Sequence, residues 1–458
     1  MGTGEKMRLV IFDNPRVFIR IHPTLVSRLS LRPDSTCNLT FGSKHASVPV
    51  VVDQEAPTDS VLVSRTFHQQ LSPDVDLDFV HVTTENNELT VGPLIGILCN
   101  PVWKPKQGRL KNNNQLPGLQ KMAEVGRREG ALVYLFGLSA VDFRTHSVTG
   151  YVWNGGRWTR TVMPLPDVIY DQVISRKIEN SKAYMEKRKR LSELYQDRIF
   201  NDGFFDKWKV YEWLVSDKRT KPHVPATVRY TGAQSCARFI HTHDITFLKP
   251  VHGSLGLGII RVTKQGEKSL RYEVKHKNQQ EQGVAASPLQ LAETLRPRLV
   301  RRPYVMQQGL RLARYHGCPF DVRIVLQRDG TGEWKRTKMF ARVAKEGDFT
   351  SNLSSGGEAL PVSTILQSFY AKEADRKKAR TRMNRVATLV TEVMEAQSEK
   401  QFGELGIDIG LDEKGHVWVI EVNSKPWKRP YTEKGRQDLV DLAFTRPIEY
   451  AIYLANKR

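Results

Sequence analysis

Two carboxylates and a carboxamide that could share one surface, Asp408, Glu421 and Asn423, lie within GIDIGLDEKGHVWVIEVNSKP, residues 406–426. The pattern predicts a β-hairpin, and a two-residue turn at Lys414–Gly415 would place Asp408 directly opposite Glu421. Because side chains alternate along a strand, Glu421 and Asn423 would share a face. Val419 would lie on that same face, and the core residues would be Trp418, Ile420 and Val422. Acids on a solvent-facing hairpin are the alternative, but Asn is disfavoured in mid-strand. We therefore expect an oxygen-ligand site suited to Mg²⁺, formed by Asp408, Glu421 and Asn423.

A glycine-rich loop, HGSLGLG at 252–258, directly follows Lys249 and Pro250. The strand GIIRV comes next, so the loop is neither a Walker A motif nor a dinucleotide fingerprint, both of which lead into a helix. Strand, glycine loop and strand would suit a flexible lid over a triphosphate, whose oxygens the backbone amides could approach closely. The alternative is an ordinary glycine-rich hairpin. Candidate contacts from this segment are Lys249, His252, Gly253, Ser254, Gly256 and Gly258.

Two other basic positions could meet phosphate. Lys207 follows Asp206, the predicted N-cap of a helix, where a cation opposes the helix dipole and therefore hints at a ligand. Arg323 shares a strand face with Asp321 in FDVRIVLQ. Its guanidinium could bind phosphate through two parallel hydrogen bonds. Taken alone, a weak surface ion pair between Asp321 and Arg323 is the simpler interpretation.

A loop of small polar residues, RVAKEGDFTSNLSSGGEA at 342–359, begins with Arg342 at a strand end. Asn352, Gly356 and Gly357 lie in the part that would suit a phosphate or a transferred acyl phosphate. A long surface loop is the alternative.

The elements that must position these groups indicate an α/β (α+β) protein with three parts. Residues 1–87 are β-rich and read as a small barrel or sandwich. The pattern in residues 88–194 predicts a strand, a helix and a second strand, which favours a parallel α/β unit. Residues 195–458 hold the candidate site. There, a single long helix is predicted at roughly 363–398, with a core-facing stripe formed by Ala379, Met383, Val386, Val390 and Met394.

Composition narrows the class of protein. The 458 residues carry 70 Lys and Arg against 49 Asp and Glu, a formal charge of +21, which favours a polyanionic partner. With 40% hydrophobic residues, the chain is not predicted to be disordered. Its four cysteines are far apart and form no CxxC pair, as in a reducing compartment. No apolar run approaches the ~20 residues of a membrane span, and the first residues lack a signal-peptide core. We expect a cytoplasmic protein.

The order of the motifs resembles that of the ATP-grasp ligases, from Lys207 through the glycine loop to Asn423. AKEGDFTSNLSSGG is similar to the phosphate-side loop of RimK-type glutamate ligases. The whole chain resembles the YheC/YheD-type endospore coat-associated proteins. The segments that carry this second resemblance are HPTLVSRLSL, LTVGPLIGIL, PLPDVIYDQV, IFNDGFFDKWKVYEWL and LKPVHGSLGLGIIRV.

The resemblance implies an ATP-grasp fold with a preceding α/β domain and a carboxylate–amine ligase activity that uses ATP and two Mg²⁺ ions. It identifies Lys207 and Lys249 as nucleotide contacts. It places Arg323 and Arg342 where arginines meet the phosphates or the acyl phosphate. The adenine and ribose contacts would be Gln307, Gln308 and Leu310, although Glu is usual where Gln308 stands.

The resemblance implies less about the substrates. Thr350, Ser354 and Ser355 replace Arg, His and Arg of the RimK-type loop, so glutamate is not carried over as the donor. The carboxylate and the amine stay unidentified, and the basic surplus favours an acidic protein or peptide. Spore coat proteins are further possible partners, in the mother-cell compartment or the coat. A non-catalytic coat scaffold and a small-molecule kinase remain alternatives. Nucleic acid is the least favoured partner, because no reader motif is present.

Overall fold

The computed structural model describes residues 5–71, 79–85, 87–253, 256–266, 269–276, 280–351, 353, 356–432 and 435–457. No helix in these ranges is long and apolar enough to cross a membrane.

The N-terminal strands close into a barrel in the order β1-β5-β2-β4-β3-β7-β6, with β6 pairing back onto β1. Its strands are β1 (Glu5–Phe12), β2 (Ile19–Ile21), β3 (Thr36–Phe41), β4 (Lys44–Val52), β5 (Ser60–Ser64), β6 (Phe79–Glu85) and β7 (Glu88–Gly92), and its helices are α1 (Pro23–Arg28) and α2 (Arg65–Leu71). Of the two predicted architectures, barrel and sandwich, the structure has the barrel. Closure leaves no free sheet edge.

A mixed sheet follows in the order β13-β12-β11-β8-β14-β15, and we call it the middle sheet. Its strands are β8 (Leu94–Leu98), β11 (Leu132–Asp142), β12 (Ser147–Asn154), β13 (Arg157–Pro164), β14 (Val168–Asp171) and β15 (Ile199–Phe200), with a small hairpin of β9 (Trp103–Lys104) and β10 (Arg109–Leu110). The helices are α3 (Leu116–Glu129), α4 (Arg176–Glu179) and α5 (Lys182–Tyr195). β8 is parallel to both β11 and β14, which confirms the predicted strand–helix–strand unit.

The next sheet carries Lys249 and is antiparallel, in the order β16-β21-β17-β18-β19-β20. We call it the Lys249 sheet. Its strands are β16 (Thr227–Arg229), β17 (Ile245–Pro250), β18 (Ile260–Lys264), β19 (Leu270–Lys275), β20 (Gln280–Ala285) and β21 (Tyr304–Gln308). Helix α6 (Lys207–Ser216) precedes it, and α7 (Ala233–Thr242) and α8 (Pro288–Leu299) share its apolar core.

The last sheet carries Asp408, runs β25-β24-β23-β26-β27, and is called the Asp408 sheet. Its strands are β23 (Cys318–Arg328), β24 (Trp334–Val343), β25 (Glu358–Pro361), β26 (Glu404–Leu411) and β27 (Val417–Asn423), and β22 (Arg314–Tyr315) pairs with β23. Helices α9 (Val362–Phe369) and α10 (Glu373–Ser398) pack against it.

The single helix predicted over 363–398 is wrong, because the chain breaks between α9 and α10. Tyr370 adopts extended backbone angles, and the Arg376 guanidinium donates to the carbonyls of Tyr370 (2.8 Å) and Ala371 (2.7 Å) at the break. Arg376, in the first turn of α10, thereby holds the two residues at the break. The predicted apolar stripe of α10 is confirmed as buried.

The C-terminal helix α11 (Gln437–Asn456) packs on the middle sheet and shares its core with α3. Phe444 and Ile448 are both fully buried there. A second core joins the barrel to the other side of the middle sheet. Because both cores cross the boundaries expected near 87 and 194, that division of the chain stays a prediction.

Candidate nucleotide and metal site

Lys207 is positioned by the start of α6. Asp206 caps this helix, and its carboxylate accepts from the backbone amides of Trp208 (2.7 Å) and Lys209 (3.2 Å). The cap was predicted, and it holds Lys207 in the first helical turn. From there Lys207 Nζ donates to the Gly253 carbonyl at 3.2 Å and to the carboxylate of Glu421. One lysine therefore joins the glycine loop to the predicted metal site.

Lys249 lies on β17 beside strand β21 of the same sheet. Its Nζ donates to Gln307 Oε1 at 2.5 Å, and Gln307 Nε2 donates in turn to Thr227 Oγ1 at 3.1 Å. Burial lowers the pKa of Lys249 to about 8; Glu421 and Asp408 oppose the shift, whereas Lys207 adds to it. Lys249 is thus a half-buried cation close to two carboxylates and a second lysine.

The residues expected to contact adenine and ribose, Gln307, Gln308 and Leu310, lie on or just after β21. Two hydrogen bonds join Gln308 to Ala226. The backbone amide of Gln308 donates to the Ala226 carbonyl at 2.8 Å, and the backbone amide of Ala226 donates to Gln308 Oε1 at 3.4 Å. Leu310 is half-buried just beyond the strand. Gln307 and Gln308 therefore border the same sheet as Lys249.

The glycine loop joins β17 to β18 as an antiparallel hairpin, as predicted. Gly258 has φ +74° and its amide donates to the Lys275 carbonyl at 2.8 Å. A Cβ at Gly258 would clash with the Arg302 guanidinium. Gly256 also has a positive φ. The backbone amide of Gly253 donates to the Pro250 carbonyl at 3.1 Å. The His252 ring is exposed and lies 4.0 Å from the Asp206 carboxylate. Ser254 lies outside the described residues.

Arg323 and Arg342 belong to a buried charge network. Register places Arg342 of β24 opposite Asp321 of β23, and Arg323 of β23 opposite Asp408 of β26. Arg342 binds the Asp321 carboxylate at 2.6 and 2.7 Å and reaches Asp408 at 2.8 Å. Arg323 also binds Asp408, with Nη2 at 3.0 Å. The expectation of a surface ion pair between Asp321 and Arg323 is wrong, because each residue pairs across to a neighbouring strand.

The network fixes the charge of Asp408. Burial would raise its pKa, but the two guanidinium groups outweigh burial and lower it. For Asp321 burial wins, and its pKa is raised despite Arg342. The pKa of Glu421 is lowered, since Lys207 overcomes the effect of burial. Asp408 and Glu421 are therefore anionic at neutral pH.

The predicted pairing of Asp408 with Glu421 across the hairpin is confirmed. The predicted two-residue turn is wrong, because β26 ends at Leu411 and β27 begins at Val417. The register shifts by one residue between Asp408 and Ile409, where Ile409 faces Val419. This bulge compensates for the longer loop.

The bulge also changes which side chains face inward. Val417 and Val419 are buried in the core with Val422, whereas Trp418 and Ile420 are only half-buried. The core positions expected for Trp418 and Ile420, and the shared face of Val419 with Glu421, are therefore wrong. An extra residue in a strand reverses the alternation beyond it.

Asp408, Glu421 and Asn423 fit a divalent cation chemically. They offer two anionic carboxylates and a carboxamide, and Asn423 Nδ2 is buried with no hydrogen-bond partner among the described residues. The unpaired Nδ2 is a donor, so the atom that would bind the cation is Oδ1 of the same carboxamide. In the described ranges no group of three or more His, Cys, Asp or Glu could hold a metal ion, so a cation bound here would need the carboxamide as a ligand.

The loop after β24 contacts the Lys249 sheet, and of the residues that do so only Thr350 was singled out from the sequence. The buried Lys275 of β19 donates to the Asp348 carboxylate at 2.6 Å and to Thr350. The Phe349 ring lies 6.2 Å from that of Phe247 and under the Arg261 guanidinium at 4.8 Å. The loop thus bridges the two sheets. Asn352, Ser354 and Ser355 lie outside the described residues.

Fold and site together define an α/β protein in which two antiparallel sheets bring lysines, a glycine loop and oxygen ligands to one place. The family model described as YheC/D like ATP-grasp matches residues 196–454, more than half of the chain. The chain therefore belongs to the YheC/D-like ATP-grasp family. Members of the ATP-grasp superfamily are ligases that form C–N bonds and in general use ATP and Mg²⁺.

Two curated relatives come from Bacillus subtilis (strain 168). The endospore coat-associated protein YheD is 26% identical over 437 residues, covering 95% of this chain and 94% of that protein. The endospore coat-associated protein YheC is 24% identical over 304 residues, covering 66% and 81%. Among solved structures, D-alanyl-alanine synthetase A from Vibrio cholerae O1 matches with a TM-score of 0.45 and 11% identity, covering 80% of this chain and 97% of that one. The assignment to the family rests on the family model alone.

Proposed function

We propose that this protein is an ATP- and Mg²⁺-dependent carboxylate–amine ligase that works through an acyl phosphate. The observation that carries the proposal is the convergence of Lys207 from α6, Lys249 from β17 and the Asp408–Glu421 pair from the hairpin β26–β27. Their charges and spacing suit a triphosphate and its metal ions. Membership of a superfamily of C–N ligases supports the same reaction type.

The reaction has two steps. A substrate carboxylate oxygen attacks the γ-phosphorus of ATP, and the bond to the β–γ bridging oxygen breaks to release ADP. An amine nitrogen then attacks the acyl carbon, the C–O bond to phosphate breaks with its electron pair on phosphate, and the nitrogen loses a proton to solvent. The protein contributes mainly positioning and neutralisation of charge.

Each predicted residue has a role in this scheme. Lys207 and Lys249 hold phosphate oxygens while the glycine loop covers them. Arg323 and Arg342 stabilise the charge that develops on the transferred group. Bound Mg²⁺ would neutralise the phosphate oxygens. Glu421 would be shared by two ions, with Asp408 and Asn423 each holding one. The remaining nucleotide contacts are His252, Gly253, Ser254, Gly256, Gly258, Gln307, Gln308, Leu310 and Asn352.

The proposed substrate partner is an acidic protein or peptide. Helix α10 supports this, because the first half of its exposed face is densely basic. The exposed cations there are Lys377, Lys378, Arg380, Arg382 and Arg385. Poly-glutamate should therefore compete with the substrate or change the ATPase rate. If acidic polymers change neither binding nor rate, the basic surplus serves solubility.

A second candidate function is an ATP-binding scaffold of the spore coat that does not turn over. It is favoured by the ion pairs that occupy both carboxylates, Glu421 with Lys207 and Asp408 with the two arginines. The names of the two curated relatives, both endospore coat-associated proteins, suggest the spore coat as the location, with coat proteins as partners.

The test is an ADP-release assay over carboxylate and amine libraries, with Glu421→Ala as the control. Release that depends on both a carboxylate and an amine, and is lost in Glu421→Ala, supports the ligase. A stable phosphorylated product without an amine step would identify a kinase instead. Tight ATP binding without turnover supports the scaffold, and failure to bind ATP with Mg²⁺ refutes all three.

A further inference from the structure

Arg176 occupies a position where α/β proteins bind ligands. It begins α4, shortly after β14 ends at Asp171. β14 runs parallel to β8 and β15, so Arg176 lies beyond the carboxyl ends of parallel strands. Ligands of open α/β sheets bind in the crevice at this edge. The edge also meets the Asp408 sheet, because the buried Lys425, shortly after Asn423, donates to the Val173 carbonyl at 2.9 Å.

The Arg176 guanidinium is held close to the proposed site. It lies over the Phe204 ring at 4.4 Å, and its Nη2 donates to the Phe205 carbonyl at 3.2 Å. Phe205 directly precedes Asp206, the cap that fixes Lys207 against Glu421. A short stretch of backbone therefore ties Arg176 to the start of α6.

Despite this placement the guanidinium is only partly satisfied. Arg176 Nε is buried without a hydrogen-bond partner, and no described carboxylate lies within ion-pair distance of the side chain. Burial lowers its pKa, although Glu179, Glu421 and Asp206 oppose the shift. A half-buried cation without an anion is costly, which points to a missing ligand.

The surrounding acids are already engaged. Glu179 accepts from Lys425 at 2.9 Å, Glu421 pairs with Lys207, and Asp206 caps α6. By contrast, the nearby buried Arg188 has two carboxylates, Asp171 at 3.0 Å and Asp202 at 2.5 Å. Arg188 Nη1 is also buried and unpaired, so the difference is one of charge: Arg188 is neutralised within the framework, whereas Arg176 has no carboxylate partner among the described residues.

We propose that Arg176 binds the carboxylate of the acyl-donor substrate and holds it beside the Lys207–Glu421 pair. This inference rests on the proposed ligase function and names the residue that recognises one substrate. A planar guanidinium with free N–H groups matches a carboxylate through two parallel hydrogen bonds. Phosphate is the less suitable ligand, because the lysines, glycine loop and arginines of the other two sheets serve the triphosphate.

Isothermal titration calorimetry on the full chain tests this. The protein is first titrated with AMP-PNP and Mg²⁺, then the loaded protein is titrated with acetate, glutarate and N-acetylglycine as simple carboxylate probes. The variants are Arg176→Ala and Arg176→Lys. The matched control is Arg190→Ala, since Arg190 also lies 4.4 Å over a ring, that of Phe143, but on the exposed face of α5.

We expect at least one probe to bind the loaded wild type and Arg176→Ala to weaken it about tenfold or more. Arg176→Lys should fall between, because lysine keeps the charge without the planar fork. Both variants should keep the wild-type nucleotide affinity, and Arg190→Ala should match wild type throughout. If Arg176→Ala does not fold, Arg176→Lys against wild type decides the question.

The inference is overturned if no probe binds the nucleotide-loaded wild type, or if Arg176→Ala and Arg176→Lys bind the probes as wild type does. It is also overturned if these variants lose nucleotide affinity, since the guanidinium would then serve phosphate. Failure of the wild type to bind AMP-PNP with Mg²⁺ refutes the proposed function itself. The nucleotide titration therefore separates the two failures.

Discussion

Lys207 Nζ donates to the Glu421 carboxylate, although the two residues are 214 positions apart in the chain. The contact joins the start of α6 to the middle of the hairpin β26–β27. In the free protein it neutralises a carboxylate that would otherwise be partly buried and unpaired. Nucleotide and metal binding would exchange this partner for phosphate and Mg²⁺.

The first prediction concerns Lys207. Lys207→Met should weaken AMP-PNP binding in the presence of Mg²⁺ by about tenfold or more, because a charge-assisted hydrogen bond to phosphate is lost. Calorimetry measures the change. Lys209→Met is the matched control, since Lys209 lies on the same helix but faces solvent and pairs locally with Glu212. Equal affinities in the two variants would contradict the assignment.

The second prediction is a pH dependence from Lys249. In the folded protein its pKa is about 8, below the ordinary 10.5 of the unfolded chain. Below pH 8 the lysine is charged in both states and the cost of burying it is fully present. As pH rises from 8 towards 10.5 the folded state loses the proton first, so this contribution to stability increases.

Nucleotide binding should show the opposite trend. A triphosphate favours the charged lysine, so affinity should fall as pH rises above the pKa of about 8, with proton uptake on binding. Titrations in two buffers of different ionisation enthalpy measure that uptake. The pKa of Lys338 is also lowered to about 8, so the difference between wild type and Lys249→Met isolates the contribution of Lys249. Identical pH profiles for the two proteins would refute the assignment.

The third prediction separates structure from chemistry at Asp408. Asp408→Asn removes the anion shared by Arg323 and Arg342, leaving two buried guanidinium groups undercompensated. We expect a loss of about 3 kcal/mol in the free energy of unfolding, measured by urea denaturation. Asp438→Asn breaks the exposed pair with Arg436 and should leave stability unchanged. A stable Asp408→Asn variant would show that the network does not depend on this carboxylate.

The fourth prediction tests the glycine loop. Gly258 and Gly266 have nearly the same φ, +74° and +73°, but only at Gly258 would a Cβ clash, with Arg302. Both Ala variants incur the cost of a left-handed conformation, about 1–2 kcal/mol. Only Gly258→Ala must also displace Arg302, so we expect it alone to weaken nucleotide binding. Comparable nucleotide affinities in the two variants would remove the loop from the site.

Local patterns predicted most of the elements that carry the site, and one pairing across a hairpin, but not the break between α9 and α10. The cap at Asp206, the stripe on α10 and the pairing of Asp408 with Glu421 all follow from periodicity and turn chemistry. The pairing was reached through the wrong turn, because a longer loop and a bulge compensate each other. The sequence reveals neither the longer loop nor the bulge. The wrong turn therefore affected only the prediction of which side of the sheet Val419 and Trp418 face.

Contacts between sheets were beyond the reach of the sequence. Nothing local distinguishes Lys275 from other strand lysines, yet it is buried against Asp348. Similarly, Asp321 and Arg323 looked like partners because they are neighbours on one strand. Each instead found a charge on the adjacent strand, where register brings side chains closer together than spacing along one strand does.

The packing of α11 has a consequence for motion. This C-terminal helix packs on the middle sheet and also contacts β23 and β24 of the Asp408 sheet. The middle sheet and the Asp408 sheet are thereby held together as one unit. The Lys249 sheet has its own separate core. Opening and closing around a ligand should therefore move the Lys249 sheet alone. The motion would pivot at the two segments that connect this sheet to the rest of the protein, one after α6 and one before β22.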